Sequence, residues 1–201
     1  MSKSRIALLA VLICASGVQA AERKWQLEHE EEGIKVYLAD VPGSKYKAYR
    51  GVVTIDADLP KVLALQEDVP GACAWVYSCQ EQRLLQREGD KSWLYTRFKM
   101  PWPVEARDSV IEVTTRKEAD GSVTRMLEGD PGRLPKEKGY VRVPSLEGEW
   151  LLKPEGEHRV EVTYEAHTEP GGSVPSWLAN SFVVDAPLQT LKALRAKAEA
   201  K

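Results

Sequence analysis

PGGSVPSWLANSFVVDAPLQTLKALR, residues 170–195, carries the longest helical pattern in the chain and sets its architecture. Ser173 is placed to cap a helix and Pro175 suits its first turn. Trp177, Leu178, Ser181, Val184, Leu188, Leu191 and Leu194 then recur at threes and fours, the spacing of one helical face. Pro187 removes a backbone donor inside this pattern and should bend the rod. Lys192, Arg195 and Lys197 suit the negative pole of the helix dipole at its end. Helical pattern elsewhere is confined to a short piece from about Leu59 to Asp68. There Asp58 is the N-cap candidate, Pro60 sits in the first turn, and Val62, Leu63 and Leu65 form an apolar side.

The rest reads as strands. In RVEVTYEAH (159–167), Val160, Val162, Tyr164 and Ala166 share one face, while Arg159, Glu161, Thr163 and Glu165 share the other. A period of two marks an antiparallel strand with one wet side. Weaker alternation runs through GIKVYLADV, KAYRGVVTID, KSWLYTRFKM, RDSVIEVTTRK, SVTRMLEG and GEWLLKP. Turn residues such as Pro42-Gly43, Gly89-Asp90 and Asp120-Gly121 separate them. The class is α+β. An antiparallel sheet of about seven or more strands must curl, and one long terminal helix can plug the open side. An imperfect fit leaves an apolar chamber, the kind of place where small molecules bind.

With 201 residues, 43% hydrophobic and 29% charged, the chain has room for one full-sized domain. Its net charge of −2 includes Lys3 and Arg5 of the first twenty residues, which hold no acid; without them it is −4. A weakly acidic domain lacks the basic footprint of a nucleic-acid binder. Three histidines and three cysteines do not make a dense metal cage, and no metal or other cofactor is expected.

Residues 1–20, MSKSRIALLAVLICASGVQA, have the three zones of a secretory signal peptide: a basic start, an apolar run from Ile6 to Ala15, and small residues before a cleavage site at Ala20. A run of about ten residues is too short for a spanning helix, which needs roughly 20. The expectation is an exported, periplasmic protein whose mature domain occupies 21–201. Export leaves Cys73 and Cys79 as a pair in an oxidising compartment. In one straight strand their Cα atoms would lie about 20 Å apart, against the roughly 7 Å a disulfide tolerates. A bond therefore needs the chain to turn near Trp75; two buried thiols are the alternative.

The order of these pieces resembles the StAR-related lipid-transfer (START) domains, of the helix-grip fold, and specifically their exported bacterial members. The resemblance covers nearly all of 24–196. It is carried by ACAWVYSCQEQRLL after the short helix, MPWPVEARDSV between two strands, GEWLLKP, and the C-terminal stretch quoted first. It implies a curved antiparallel sheet around a hydrophobic tunnel, the last helix as lid, and a gate loop at roughly Pro101 to Arg107. It also implies a turn where Trp75 falls, which makes a Cys73–Cys79 bond feasible. The N-terminal region is short, so the early helix of familiar animal members is expected to be missing. Ligand identity varies across the family and does not transfer.

The expected partner is a lipid or another hydrophobic small molecule, with transient membrane contact. Met100-Pro101-Trp102-Pro103 is a stiffened loop displaying a large aromatic residue, suited to touching ligand or membrane, or to packing the core edge. Val174, Trp177 and Phe182 are candidates for the tunnel entrance. Arg97 and Glu112 hold mid-strand positions, where an inward polar group could grip a lipid head; alternation does not settle their facing, and an inward one needs a partner. Arg107-Asp108 matches a recurrent family pair, read as an ion pair or turn-stabilising device. No catalytic residue is named. G-x-S-x-G, a glycine-rich phosphate loop, H-x-x-x-H and C-x-x-C are all absent from the sequence, and His29, His158 and His167 read as solvated. A tunnel enzyme of cyclase or hydrolase type and a protein-interaction module are the alternative readings.

Overall fold

The computed structural model describes residues 23–200, apart from the side chains of Ser176, Trp177 and Asn180. The signal-peptide reading of residues 1–20 and the placement of the Trp177 side chain lie outside the described residues. Strands β1 (Gln26–Glu31), β2 (Ile34–Ala39) and β3 (Ala48–Ile55) come first, and no helix precedes β1 among the described residues. Helix α1 (Leu59–Glu67) and a single 3-10 turn at Ala72–Ala74 follow. Then come β4 (Cys79–Glu88), β5 (Lys91–Phe98), β6 (Arg107–Lys117), β7 (Val123–Gly129), β8 (Val141–Arg142), β9 (Ser145–Pro154) and β10 (Val160–Glu169). Helix α2 (Ser176–Glu199) closes the chain.

The ten strands make one sheet in the order β1-β2-β3-β10-β9-β7-β6-β5-β4, antiparallel except for β8, which lies parallel beside the start of β6. The sheet is not closed into a barrel; β1 and β4 are its edges. Both edge strands, QLEHEE and CQEQRLLQRE, are charged and largely exposed, which discourages pairing with another chain. That polarity also hides their alternation, so they do not stand out in the sequence as strands.

Helix α2 packs chiefly on β2 and β3. The approach is closest at Gly51: a Cβ there would lie 2.6 Å from Leu191 Cδ1 and 3.0 Å from Pro187 Cβ. Leu191 and Leu194 are fully buried against Val36, Val53, Leu152 and Val162. The helix runs through Pro187 instead of ending there. Its N-cap is Pro175, not Ser173, and it makes no side-chain capping bond. Asp58 does precede α1, but its carboxylate meets His158 Nδ1 at 2.6 Å and caps nothing.

Cys73 and Cys79 are joined, with Cα atoms 4.8 Å apart. The turn this requires is made by the 3-10 segment and by Ser78, whose φ of 57° is left-handed. The bond therefore clamps the segment Trp75–Ser78 against the end of β4.

The outer face of β5 and β6 is covered by the segment 130–142. Asp108 and Arg142 form a fully buried two-pronged ion pair, Nε to Oδ1 at 3.0 Å and Nη2 to Oδ2 at 2.9 Å. Arg142 also donates to the carbonyls of Pro131, Leu134 and Pro135, at 2.9, 3.0 and 3.2 Å. Tyr95 donates to Asp108 at 3.1 Å. Such a pair is expensive to break from one side, because the surviving charge stays buried without a counter-ion. Asp108→Asn should lower the unfolding free energy by about 3–5 kcal/mol in a denaturant titration. Reducing the disulfide releases a small loop and should remove about 2 kcal/mol by the chain-entropy relation, read in the same titration with and without reductant.

Candidate ligand-binding cavity

Side chains that alternate along a strand can face one space only if the sheet bends around it. Tyr49 of β3 and Leu94, Thr96 and Phe98 of β5 belong to opposite halves of the sheet, yet all line one internal cavity of about 270 Å³. Helix α2 roofs it through Ala179, Phe182, Val183, Ala186 and Thr190. The clamped segment Trp75–Ser78 supplies a side wall, fixed to the roof by the bond from the Tyr77 N–H to Thr190 Oγ1 at 3.1 Å.

One transverse row of the sheet organises the walls. Thr115, Arg125, Trp150, Tyr164 and Gly51 are direct partners from β6 to β3. Trp150 and Tyr164 stack with ring centroids 3.9 Å apart and planes within 4°. Trp75 meets the edge of Trp150 at 5.9 Å, and Tyr49 meets Tyr164 at 5.2 Å. Four aromatic rings thus form a continuous apolar wall. Burial holds the hydroxyls of Tyr49 and Tyr164 protonated, pushing Tyr164 above the usual phenol range and Tyr49 well above it.

The loop read as a gate, Pro101 to Arg107, packs at one end of this space. Val104 is buried among Tyr46, Val174, Leu178 and Ala179, with Met100 and Phe182 packed against them. Met100, Val174 and Phe182, singled out in the sequence, line the cavity as well. Trp102 does neither. It is 92% exposed at the tip of the loop, so the core-edge reading fails.

Arg97 and Glu112 are corrections to the tunnel-lining expectation. On β5 the inward residues are Leu94, Thr96 and Phe98, which turns Arg97 outward to Glu81, at 2.6 Å, and to Glu137. On β6 the inward residues are Ser109, Ile111 and Val113, which turns Glu112 outward to Lys91 at 2.6 Å. Lys91 holds the Glu112 carboxyl below its ordinary range. Arg107 and Asp108 do not pair with each other, since neighbours on a strand face opposite ways. Asp108 pairs with Arg142 on the outer face, whereas Arg107 lines the cavity. Its guanidinium bonds the carbonyl of Glu105 and that of Gly171, the latter at 3.0 Å, tying the gate loop to the turn before α2.

Arg125 and Gln66 are among the polar cavity residues that the sequence reading did not single out. The signal was present in SVTRMLEG, where Arg125 falls in phase with Val123 and Leu127, on the apolar face. His167 is also corrected: it is buried, with Nε2 3.2 Å from Ser44 Oγ. Glu169 stands beside both residues, but its carboxylate approaches the same ring nitrogen as the hydroxyl. A hydrolytic triad needs the acid on the other nitrogen, so this cluster anchors the loop before β3 and activates no nucleophile.

The START domain pattern matches residues 6–199 of the chain. An uncharacterized protein of Pseudomonas aeruginosa is 56% identical over 195 residues, covering 97% of this chain and 96% of its own length. The solved structure of a STAR-related lipid transfer protein from Xanthomonas axonopodis is similar with a TM-score of 0.82 and 40% identity, covering 88% of this chain and 99% of that one. The phosphatidylcholine transfer protein of Mus musculus is 28% identical over 166 residues, 78% of this chain and 75% of its own. Matched over residues 6–199 and similar in fold to a solved member at 40% identity, the chain belongs to the START domain family.

Proposed function

We propose that this protein binds a lipid or another hydrophobic small molecule in the cavity under α2 and shields it during passage through water. The observation that carries this reading is the cavity itself, walled by four touching aromatic rings and roofed by a helix. The names of its relatives from Xanthomonas and mouse agree with lipid transfer. At about 270 Å³, the space is near the lower bound of small-molecule sites, about 300–1,000 Å³. Burying an acyl chain of about 16 carbons yields on the order of 13 kcal/mol, against ~4–15 kcal/mol of lost freedom. Apolar burial alone thus suffices for binding, and the reading includes no covalent step.

The exposed Trp102, on a loop whose other side packs into the gate, supplies the membrane contact in this proposal. An indole suits the headgroup layer, where one edge meets lipid and the other meets water. The protein purified from its host should carry an apolar molecule detectable by native mass spectrometry and exchange it with vesicles. Trp102→Ala should slow that exchange several-fold while leaving thermal unfolding unchanged, as expected for a side chain with almost no intramolecular contact. Purified protein free of any bound molecule, and unable to take one up from vesicles, would defeat the proposal.

The same proposal places the protein in the periplasm. Expressed with its leader in a Gram-negative host, the chain should be recovered from the periplasmic fraction with Ala21 at its N-terminus; a cytoplasmic product retaining Met1 would contradict this.

A further inference from the structure

Several buried polar atoms on the cavity wall have no partner, and three of them belong to Arg125, Gln66 and Trp75. Arg125, only 7% exposed, donates through Nη1 to the backbone carbonyl and Oε1 of Gln66, at 2.9 and 3.2 Å. Both acceptors are neutral. Its Nε is buried with no acceptor, and the same holds for Gln66 Nε2 and Trp75 Nε1. All three residues line the cavity. Among the described residues no carboxylate lies within ion-pair distance of Arg125; Glu67 is exposed and acts on it only through its field.

The ion-paired arginines of the sheet make the contrast. Arg142 has Asp108, Arg97 has Glu81 and Glu137, and Arg50 has Glu165. Arg107, at the gate, is as deeply buried, also lacks an acidic partner among the described residues and has an unpaired Nε, but carbonyls occupy its other two nitrogens. Arg125 stands beside two further unused donors, Gln66 Nε2 and Trp75 Nε1. Burial draws its pKa downward, as expected for a guanidinium without an anion. It lies opposite Thr115, eight residues along β6 from Arg107, or roughly 26 Å of strand from the gate end.

We infer that Arg125, with Gln66 and Trp75, is the receptor for the oxyanion of a single-tailed amphiphile, a carboxylate or phosphate head lying deep while its tail runs toward the gate. The inference rests on the cavity being the ligand site. The small volume favours one tail over two, and among the described residues no acid stands beside Arg125 to compete with an anionic head. Converging charged and neutral N–H donors are the chemistry that binds carboxylate and phosphate oxygens.

The test uses the full mature chain stripped of bound lipid and three probes of equal tail length: hexadecanoic acid, hexadecyl phosphate and hexadecanol. Displacement of a fluorescent apolar reporter gives each affinity. At least one anionic probe should bind about tenfold or more tighter than the alcohol, and the tighter of the two names the head. Arg125→Met should abolish that preference while keeping alcohol binding within about twofold, and Arg125→Lys should retain part of it. Trp75→Phe keeps a ring in the wall and removes only the N–H, and should weaken the anion several-fold; it tests the site even if Arg125→Met fails to fold. Equal affinity for acids and alcohol, or a preference that survives both Arg125→Met and Trp75→Phe, overturns the oxyanion site and leaves the cavity reading intact. Failure of all three probes to displace the reporter overturns both.

Discussion

The closeness of α2 to one half of the sheet is the constraint on which the cavity depends. Gly51 lets Leu191 and Pro187 sit almost on the backbone of β3, and Leu188, Leu191 and Leu194 are buried in the core there. A rigid helix pinned to β2 and β3 cannot also lie flat on β5, β6 and β7, because the sheet curves away beneath it. The gap is bridged by side chains reaching inward from both halves, and their ends do not meet. A larger residue at position 51 would push the helix off the sheet; a flatter sheet would let it settle and close the space. The hollow is thus a by-product of where the helix is held, not of a missing side chain.

Charge is sorted across the sheet in a way that matches this division. On the outer face, Asp108, Arg142, Tyr95, Glu137, Arg97 and Glu81 form one connected network that holds the segment 130–142 in place. Its cations have acidic partners, as a structural role demands when the groups are buried. On the inner face the cations lack acids. Arg107 compensates with backbone carbonyls and Arg125 with a glutamine. Fully satisfied charges stiffen a fold, whereas partly satisfied ones leave interaction energy available to a guest.

What could be read from the sequence follows the same logic. Strand β10 alternates cleanly because one face is dry and the other partly wet, and the registers of β3, β6 and β7 fall where their patterns put them. The helix face was legible because α2 has a single partner surface. The orientation of Arg97 and Glu112 was not. At the gate end of β5 and β6 both faces are covered, one by the cavity roof and the other by the segment 130–142, so Tyr95, Thr96, Asp108, Ser109 and Val110 are all buried in succession. Alternation reports the difference between wet and dry, and it vanishes where neither face is wet. Arg125 escaped for the opposite reason: it stands in perfect phase with Val123 and Leu127, but a charged residue in an apolar phase is easily taken for a surface residue on an irregular strand.

In the proposed role the gate end must both close and open, and Arg107 is placed to serve both. Its two carbonyl partners belong to different segments, Glu105 in the gate loop and Gly171 in the turn before α2, so the guanidinium is the polar bolt between lid and gate. The apolar part of the closure is the cluster of Val104, Tyr46, Val174 and Leu178. Separating the two segments breaks both kinds of contact, but it also returns a desolvated cation to water, and the regained hydration offsets much of the lost hydrogen bonding. A carboxylate in place of those carbonyls would hold the closed form more tightly. Neutral acceptors keep the junction ordered while limiting the penalty for opening, a balance that fits the proposed role, in which the cavity both excludes water and admits a guest.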